Sequence, residues 1–306
     1  MYVSFEKAYY KYLKYVEIKQ KRSSIHTLKE KFNNLILPYF KNFNIYNITA
    51  EDYIDFQYNL QKKKYSYNYL RNTHYLVVAF LDYCINFLNL KENVARKVGN
   101  FNNNNSITKN DFYTIKEFKK FIKYVDNEIY KQFFNLMFFT GTRPGEAMAL
   151  RFSDLNDNIL SITKTLDEHG TNGKRLIGTP KTKSSIRDIS IDKKLKKDLL
   201  NLKKDYLKIY QNYDYDYYIF GGIKPLSPTT INRYKKKAAD KAKIKCIRIH
   251  DFRHSHATLL LNKKIQIKVI SKRLGHSNVD TTLNTYIHSD LSQEKRVIKT
   301  LNSIRY

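Results

Sequence analysis

The chain has 306 residues, enough for roughly two ordinary domains, and 42% of them are apolar, so it can bury a sizeable core. Its 56 Lys+Arg against 28 Asp+Glu leave a net charge of +28, a statement about partners rather than fold, and a polyanion is the partner it points to first. No apolar run reaches about 18 residues, so no transmembrane helix is read, and the opening "MYVSFEKAYYKYLKY" lacks the apolar core of a signal peptide. Two cysteines, Cys84 and Cys246, make no disulfide framework. A reducing, cytoplasmic setting with no membrane contact is the expectation. A codon bias toward Lys, Asn and Ile would add Asn and Ile along with Lys; it does not explain an acid count half the basic count.

In chain order, the first hundred residues read as helices. Phe5 to Val16 carries apolar residues at helical spacing, and a second pattern runs from about Ser24 to Leu37, stopping before Pro38. "ITAEDYIDFQYNLQKK" opens on Thr49 as N-cap with Asp52 three residues on, and Tyr53, Ile54, Phe56 and Leu60 follow with a helical period. Ser66 to Leu90 is a longer helix with Leu70, Leu76, Val77, Phe80, Leu81 and Ile85 on its apolar positions. Residues 1–97 are therefore expected to form a small helical bundle. "VGNFNNNNSITKND" then breaks the periodicity with four consecutive Asn, and 98–112 reads as a linker. A second domain, 113–306, starts where Thr114 and Glu117 form a capping box. Helical patterns fill it to Leu150. Three apolar runs, "ILSITK", "KRLIGTPK" and "IRDISI", predict a small three-stranded antiparallel sheet, and helices are expected from Asp192 to the end. The fold class is thus mainly α with a small antiparallel β-sheet.

Four segments of the second domain carry candidate chemistry. In "TGTRPGEAMAL", Arg143 precedes Pro144 and would sit at a helix start, where the macrodipole disfavours a cation unless an anion is held there. The plainer reading is a surface Arg paired with Glu146. In "TPKTKSSIRDI", Lys181 falls at or near the turn between two strands, where a lysine is usually only solvated. In "IRIHDFRHSHATLLL", His250 and Arg253 stand three apart on one helix face. Cys246, His250, His254 and His256 also crowd together, but one helix face rarely supplies four zinc ligands. In "LGHSNVDTTLNTYIH", Gly275 reads as a helix C-cap and Ser277 as the next N-cap, leaving His276 at the junction and Tyr286 among polar residues.

Taken in order, these segments resemble the tyrosine recombinases, also called the phage integrase family. The matching positions are Arg143, Lys181, His250, Arg253, His276 and Tyr286, and the match covers the second domain. "LPYFKNFNIYNITAEDYIDF" looks like the helical core-binding domain that such integrases carry. The resemblance implies a site-specific DNA recombinase that cleaves and rejoins strands through a covalent 3′-phosphotyrosine, with no metal, no ATP and no other cofactor. Tyr286 would be the nucleophile. Arg143 and Arg253 would bind the phosphate bidentately, and His276 would donate to the same oxygens. His250 would take the tyrosine proton and Lys181 would protonate the leaving 5′-oxygen. Glu146 would orient the basic residues.

Double-stranded DNA is the implied partner, with assembly as a homotetramer on two duplexes and accessory DNA-bending or directionality proteins in attendance. "SPTTINRYKKKAADKAKIK" reads as a basic helix whose Asn232, Arg233 and Lys236 are candidates for DNA contact, or simply a solvated face. The amphipathic tail, with Val297, Ile298, Leu301 and Ile304, would dock on a neighbouring protomer or fold back on its own domain. Many such integrases carry a small arm-binding domain ahead of this point. Its absence suits a simple Xer-like recombinase or a shortened chain, while "LPYF" and "IT" lean toward mobile elements. The alternatives are a Xer-type recombinase resolving chromosome or plasmid dimers, and a non-catalytic DNA-binding regulator that keeps the fold.

Overall fold

The computed structural model describes residues 2–102, 111–167, 176–180, 182–212, 214–276 and 278. The chain divides into two compact units, with the division between Thr108 and Lys109.

The first unit is helical. Its elements are α1 (Phe5–Lys19), α2 (Arg22–Lys31), α3 (Leu37–Phe40), α4 (Ala50–Lys62), α5 (Tyr67–Leu88) and α6 (Val94–Val98). Ser4 caps α1 through the Lys7 amide. Thr49 and Asp52 form the reciprocal capping box that their spacing predicts for α4. Along α4, Tyr53, Phe56 and Leu60 are buried, one face at helical spacing, while Ile54 is 52% exposed and lies off that face, contrary to expectation. The core is aromatic: Phe32 stacks on Tyr9 at 4.4 Å and meets Phe80 edge-on at 5.6 Å, and Phe5 stacks on Phe40 at 5.2 Å. Each such ring contributes about 1.5–3 kcal/mol of burial, so Phe32→Ala would cost about 3–5 kcal/mol.

Two sequence expectations shift here. The helix expected to end before Pro38 continues through it. The stretch Phe32–Ile36 widens into a π-turn in which Leu37 N–H reaches back five residues to Phe32 O. That wider turn accommodates a ring that would otherwise clash with the preceding carbonyl. The stretch expected as linker also begins inside the unit, since Val98 closes α6 and Phe101 is buried in the same core. Residues 103–110 lie outside the described residues.

The second unit begins with α7 (Ile115–Lys123), α8 (Glu128–Thr140) and α9 (Pro144–Ala149), and its later helices are α10 (Lys193–Tyr210), α11 (Pro228–Ala242), α12 (Asp251–Asn262) and α13 (Ile267–Leu274). The Thr114–Glu117 capping box starts α7. Phe118 of α7 stacks on Phe138 of α8 at 3.8 Å, and Phe134 stacks on Phe252 of α12 at 5.3 Å. These rings fix α12 against α8, the contact that later brings Arg253 to the turn after α8.

The strands are β1 (Leu155–Asn156), β2 (Ile159–Ile162), β3 (Thr165–Asp167), β4 (Leu176–Gly178) and β5 (Arg187–Ser190). They form two small antiparallel sheets rather than the one expected. β1, β2 and β5 make a three-stranded sheet with Leu160 opposite Ile189, and β3 pairs only with β4. The run "KRLIGTPK" therefore leaves the main sheet, and the two-residue β1, too short to show an alternation, supplies its third strand. The segment joining β4 to β5 passes from one sheet to the other instead of closing a hairpin. The expectation of unbroken helix after Asp192 also fails between α10 and α11. There Ile219 N–H donates to Leu150 O and Phe152 N–H to Tyr217 O, a buried extended crossing that ties the helices together.

Among the described residues no helix is long and apolar enough to cross a membrane. Cys84 is a buried free thiol and Cys246 an exposed one.

Candidate active site

The site gathers at the end of α8. Gly141 closes that helix at φ +70, a left-handed position that also leaves no room for a side chain: an added Cβ would lie 2.6 Å from His256 Cδ2 and 2.7 Å from Leu274 Cδ2. Two residues on, Arg143 is the N-cap of α9 and Pro144 its first residue. Glu146, at the third position, accepts the Arg143 backbone N–H at 2.9 Å and its Nη1 at 2.7 Å. The plain pairing of Arg143 with Glu146 is thus real. It does not exhaust Arg143, whose Nη2 donates to Gly275 O at 3.1 Å and whose side chain stays 34% exposed.

Arg253 lies in the first turn of α12, buried, with Nη1 donating to Gly141 O at 2.8 Å. His250 is the N-cap of that helix. It is open to solvent on one side and walled in on the other, and its ring stands 5.3 Å from that of His254. His276 follows the α13 C-cap Gly275, which takes φ +71 as its position predicts. Its backbone N–H closes on Ser271 O at 3.1 Å, and its ring is half-buried. Three sequence segments, the turn after α8, the start of α12 and the end of α13, thereby bring Arg143, His250, Arg253 and His276 together.

Electrostatics follow from this crowding. Burial, then the charges of Arg253 and Arg143, holds the His276 imidazole down at about 4. Burial, then His254, Arg253 and Arg143, does the same for His250, also to about 4. Both rings are therefore neutral at pH 7 and each can donate or accept one hydrogen bond. Burial alone would raise the Glu146 carboxyl, but hydrogen bonds and charge from Arg187 and Arg143 outweigh it and hold the group below the usual carboxylate range. Two guanidinium groups on one carboxylate, with Arg253 close by, leave a net positive surface beside neutral imidazoles, a setting suited to a tetrahedral anion.

The comparisons with known proteins accord with this geometry. Residues 111–293 match the model of the phage integrase family, and residues 4–61 match the phage integrase N-terminal SAM-like domain. The ICEBs1 integrase of Bacillus subtilis is 31% identical over 309 residues, covering 99% of this chain and 83% of the relative. The chain belongs to the phage integrase family. A prophage ps2 probable integrase of Lactococcus lactis is 26% identical, covering 92% of this chain and 78% of its own. Among solved structures, a Tn1549 transposon integrase (aa 82-397, Y379F) in complex with transposon right end DNA superposes with a TM-score of 0.79 at 18% identity, covering 98% of this chain and 100% of that one. A lambda integrase dimer bound to a COC′ core site gives 0.70 at 16% identity, over 93% and 77%. As a member of this family the chain is a tyrosine recombinase.

Not every expected integrase residue falls within view. Lys181, Ser277, Tyr286 and the tail bearing Val297 to Ile304 lie outside the described residues. Asn232, Arg233 and Lys236 share the exposed face of α11, away from the buried Ile231, Lys235 and Ala239. His256, weighed as a zinc ligand, turns into the core. Its Nδ1 meets Phe138 O at 2.9 Å and its Nε2 accepts from Arg273 Nε at 3.1 Å. Among the described residues no group of three His, Cys, Asp or Glu stands close enough to hold a metal.

Sequence reasoning missed Arg187 and Arg273. Arg187 is 7% exposed and grips Glu146 with both Nη atoms. Its signal was present, since it stands two residues before the buried Ile189 and so shares the inward face of β5, an unusual place for a cation. Arg273 lies in the last turn of α13, where a basic residue suits the helix dipole and passes unremarked.

Proposed function

We propose that this chain is the integrase of a phage or mobile element, cleaving and rejoining double-stranded DNA at specific sites through a covalent 3′-phosphotyrosine on Tyr286. The observation that supports this reading best is the meeting of Arg143, Arg253, His250 and His276 at one basic surface. Without a metal, phosphodiester cleavage needs a nucleophile, charge for the non-bridging oxygens, and a proton for the leaving oxygen. Arg143 and Arg253 supply the charge, and a single such donor is commonly worth about 3 kcal/mol in the transition state. His276, neutral and half-buried, donates a hydrogen bond to the same oxygens. His250, neutral on the solvent side, accepts the proton of Tyr286 as it attacks. Lys181 protonates the departing 5′-oxygen. The phosphotyrosine conserves the bond energy, so rejoining needs no ATP.

In this reading residues 1–97 are the core-binding domain, 98–112 the connector and 113–306 the catalytic domain. Lysines and arginines of both contact phosphates, and Asn232, Arg233 and Lys236 present α11 to the duplex. The working assembly is a homotetramer on two duplexes. A lambda integrase tetramer bound to a Holliday junction, alike in fold at a TM-score of 0.69, supports that arrangement.

Covalent trapping tests the reaction class. Wild type and Tyr286→Phe are incubated with nicked duplexes drawn from the ends of the element, and adducts surviving denaturation are counted. An adduct formed by wild type and lost in Tyr286→Phe is expected. Tight DNA binding without any adduct would mean a DNA-binding regulator instead.

A further inference from the structure

Arg187 shares the segment of Lys181 but is not among the six positions that match the family, yet its side chain reaches three of the stretches that build the site. Its Nη2 and Nη1 reach Glu146 Oε2 and Oε1 at 3.0 and 3.3 Å, Nη1 also donates to Ser185 O at 2.9 Å, and Nε donates to Arg273 O at 2.6 Å. We propose that Arg187 is a positioning residue for the recombination reaction, holding the guanidinium of Arg143 and the turn that presents His276 in one fixed relation. This rests on the reading of the site given above.

Three features of the geometry support it. Glu146 is shared: the same two oxygens that Arg187 grips also take the Arg143 backbone N–H and Nη1. With Arg187 present, one carboxylate serves two guanidinium groups, so Arg143 keeps positive charge to offer a phosphate. Without it, Glu146 pairs with Arg143 alone and cancels that charge. Second, Arg273 O lies in the last turn of α13, two residues before Gly275, and an added Cβ on Gly275 would stand 3.0 Å from Arg187 Nη1. The His276 turn is thus seated on the Arg187 side chain. Third, Ser185, whose main chain Arg187 holds, turns its Oγ to Arg143 Nη1 at 3.2 Å and to Thr182 Oγ1 at 2.9 Å.

Stability alone is a poor account of this cluster. A buried ion cluster of this kind is commonly no more stabilising than apolar residues of the same volume. Its return is a fixed geometry, which only the planar guanidinium fork gives. A lysine in the same place has a compact ammonium and cannot serve a carboxylate and two separate carbonyls at once.

The test uses the full chain and nicked duplexes from the element's ends. Adduct formation is followed in a single turnover at saturating DNA, with DNA affinity and thermal unfolding measured alongside. Arg187→Lys and Arg187→Gln are expected to slow adduct formation by about a hundredfold, as small misplacements of reacting groups do, while DNA affinity stays within about threefold. Lys should rescue no better than Gln. Because both act through one carboxylate, Arg187→Lys and Glu146→Gln should be non-additive, the double variant being within about threefold of the slower single one. Should Arg187→Lys lose cooperative unfolding, Glu146→Gln decides the matter, since it leaves the Arg187 bonds to Ser185 and Arg273 in place. Variant rates within about twofold of wild type, or effects that multiply in the double variant, would overturn the proposal. If wild type itself forms no Tyr286-dependent adduct, the recombinase reading falls and this inference with it. An adduct in wild type with unaffected Arg187 and Glu146 variants sinks the positioning role alone.

Discussion

Arg273 donates its Nε–H to Nε2 of His256 at 3.1 Å, a guanidinium bonded to an imidazole that must be neutral to accept. The other ring nitrogen, Nδ1, donates to Phe138 O at 2.9 Å, so the tautomer is set from both sides. Arg273 is anchored in turn on Ser190 O and Phe139 O. The pair thus joins α8, β5, α12 and α13 directly beneath Gly141, whose carbonyl holds Arg253.

Acid should therefore destabilise the second unit. Burial, then the Arg273 charge, pushes His256 down to about 3, far below the ordinary value of 6.5. The sign follows from linkage: below pH 6.5 the unfolded chain takes a proton that the folded ring refuses. The stability is whole above that pH and is lost as pH falls toward about 3. For His256 the loss between pH 7 and pH 4.5 is about 2–3 kcal/mol. His250 and His276, both near 4, act in the same direction. Thermal unfolding across this range, compared with His256→Gln, checks it, because Gln keeps an acceptor for Arg273 and should flatten the dependence. An equally steep fall in His256→Gln would contradict the assignment.

Gly275→Ala should impair the site with little change to distant structure. The backbone there is left-handed, and the new Cβ would stand 2.9 Å from Ser184 O and 3.0 Å from Arg187 Nη1. A stability loss of about 1–2 kcal/mol is expected from strain. Displacement of His276 should cost the cleavage rate more than that loss accounts for. Denaturant unfolding and single-turnover trapping on one preparation separate the two effects.

Replacing either arginine that we propose binds the phosphate should abolish cleavage more than binding. Arg143→Lys and Arg253→Lys keep the charge and lose the fork, and a drop of about 100- to 1000-fold in adduct formation is expected. Filter binding at fixed salt should show affinity changed by far less. A parallel loss of affinity and rate would mean that these residues only hold DNA.

On α11, Lys236→Ala is expected to weaken DNA binding uniformly across sequences and to lower the salt slope by about one charge. Affinity measured over a series of salt concentrations checks this. An unchanged slope would leave Lys236 as an exposed residue that merely favours solubility.

The outline of the molecule was legible from local signals, because caps and apolar spacing are short-range chemistry. Thr49 with Asp52, Thr114 with Glu117, and Gly275 after Leu274 all stand where a few neighbouring residues predict. Strand pairing was less legible. The partner of "KRLIGTPK" depends on which distant strand it meets, and β1 at two residues is too short to show an alternation. Pro38 misled for a related reason, since whether a proline ends a helix depends on whether the preceding turn can widen.

The sequence by itself determined the family and its candidate residues, because Arg143, His250, Arg253 and His276 are spaced along the chain in an order that local elements preserve. It also determined the charge that asks for a polyanion. Only the tertiary structure decided what holds those residues. Glu146, paired with Arg143 three residues before it, is shared with Arg187 41 residues on. The Gly141 and Gly275 carbonyls take Arg253 and Arg143 across 112 and 132 residues, and His256 meets Arg273 across 17. A hydrogen bond between side chains that far apart leaves no periodic trace in the chain. It exists only once the aromatic packing of α8 on α12 has brought the two ends together.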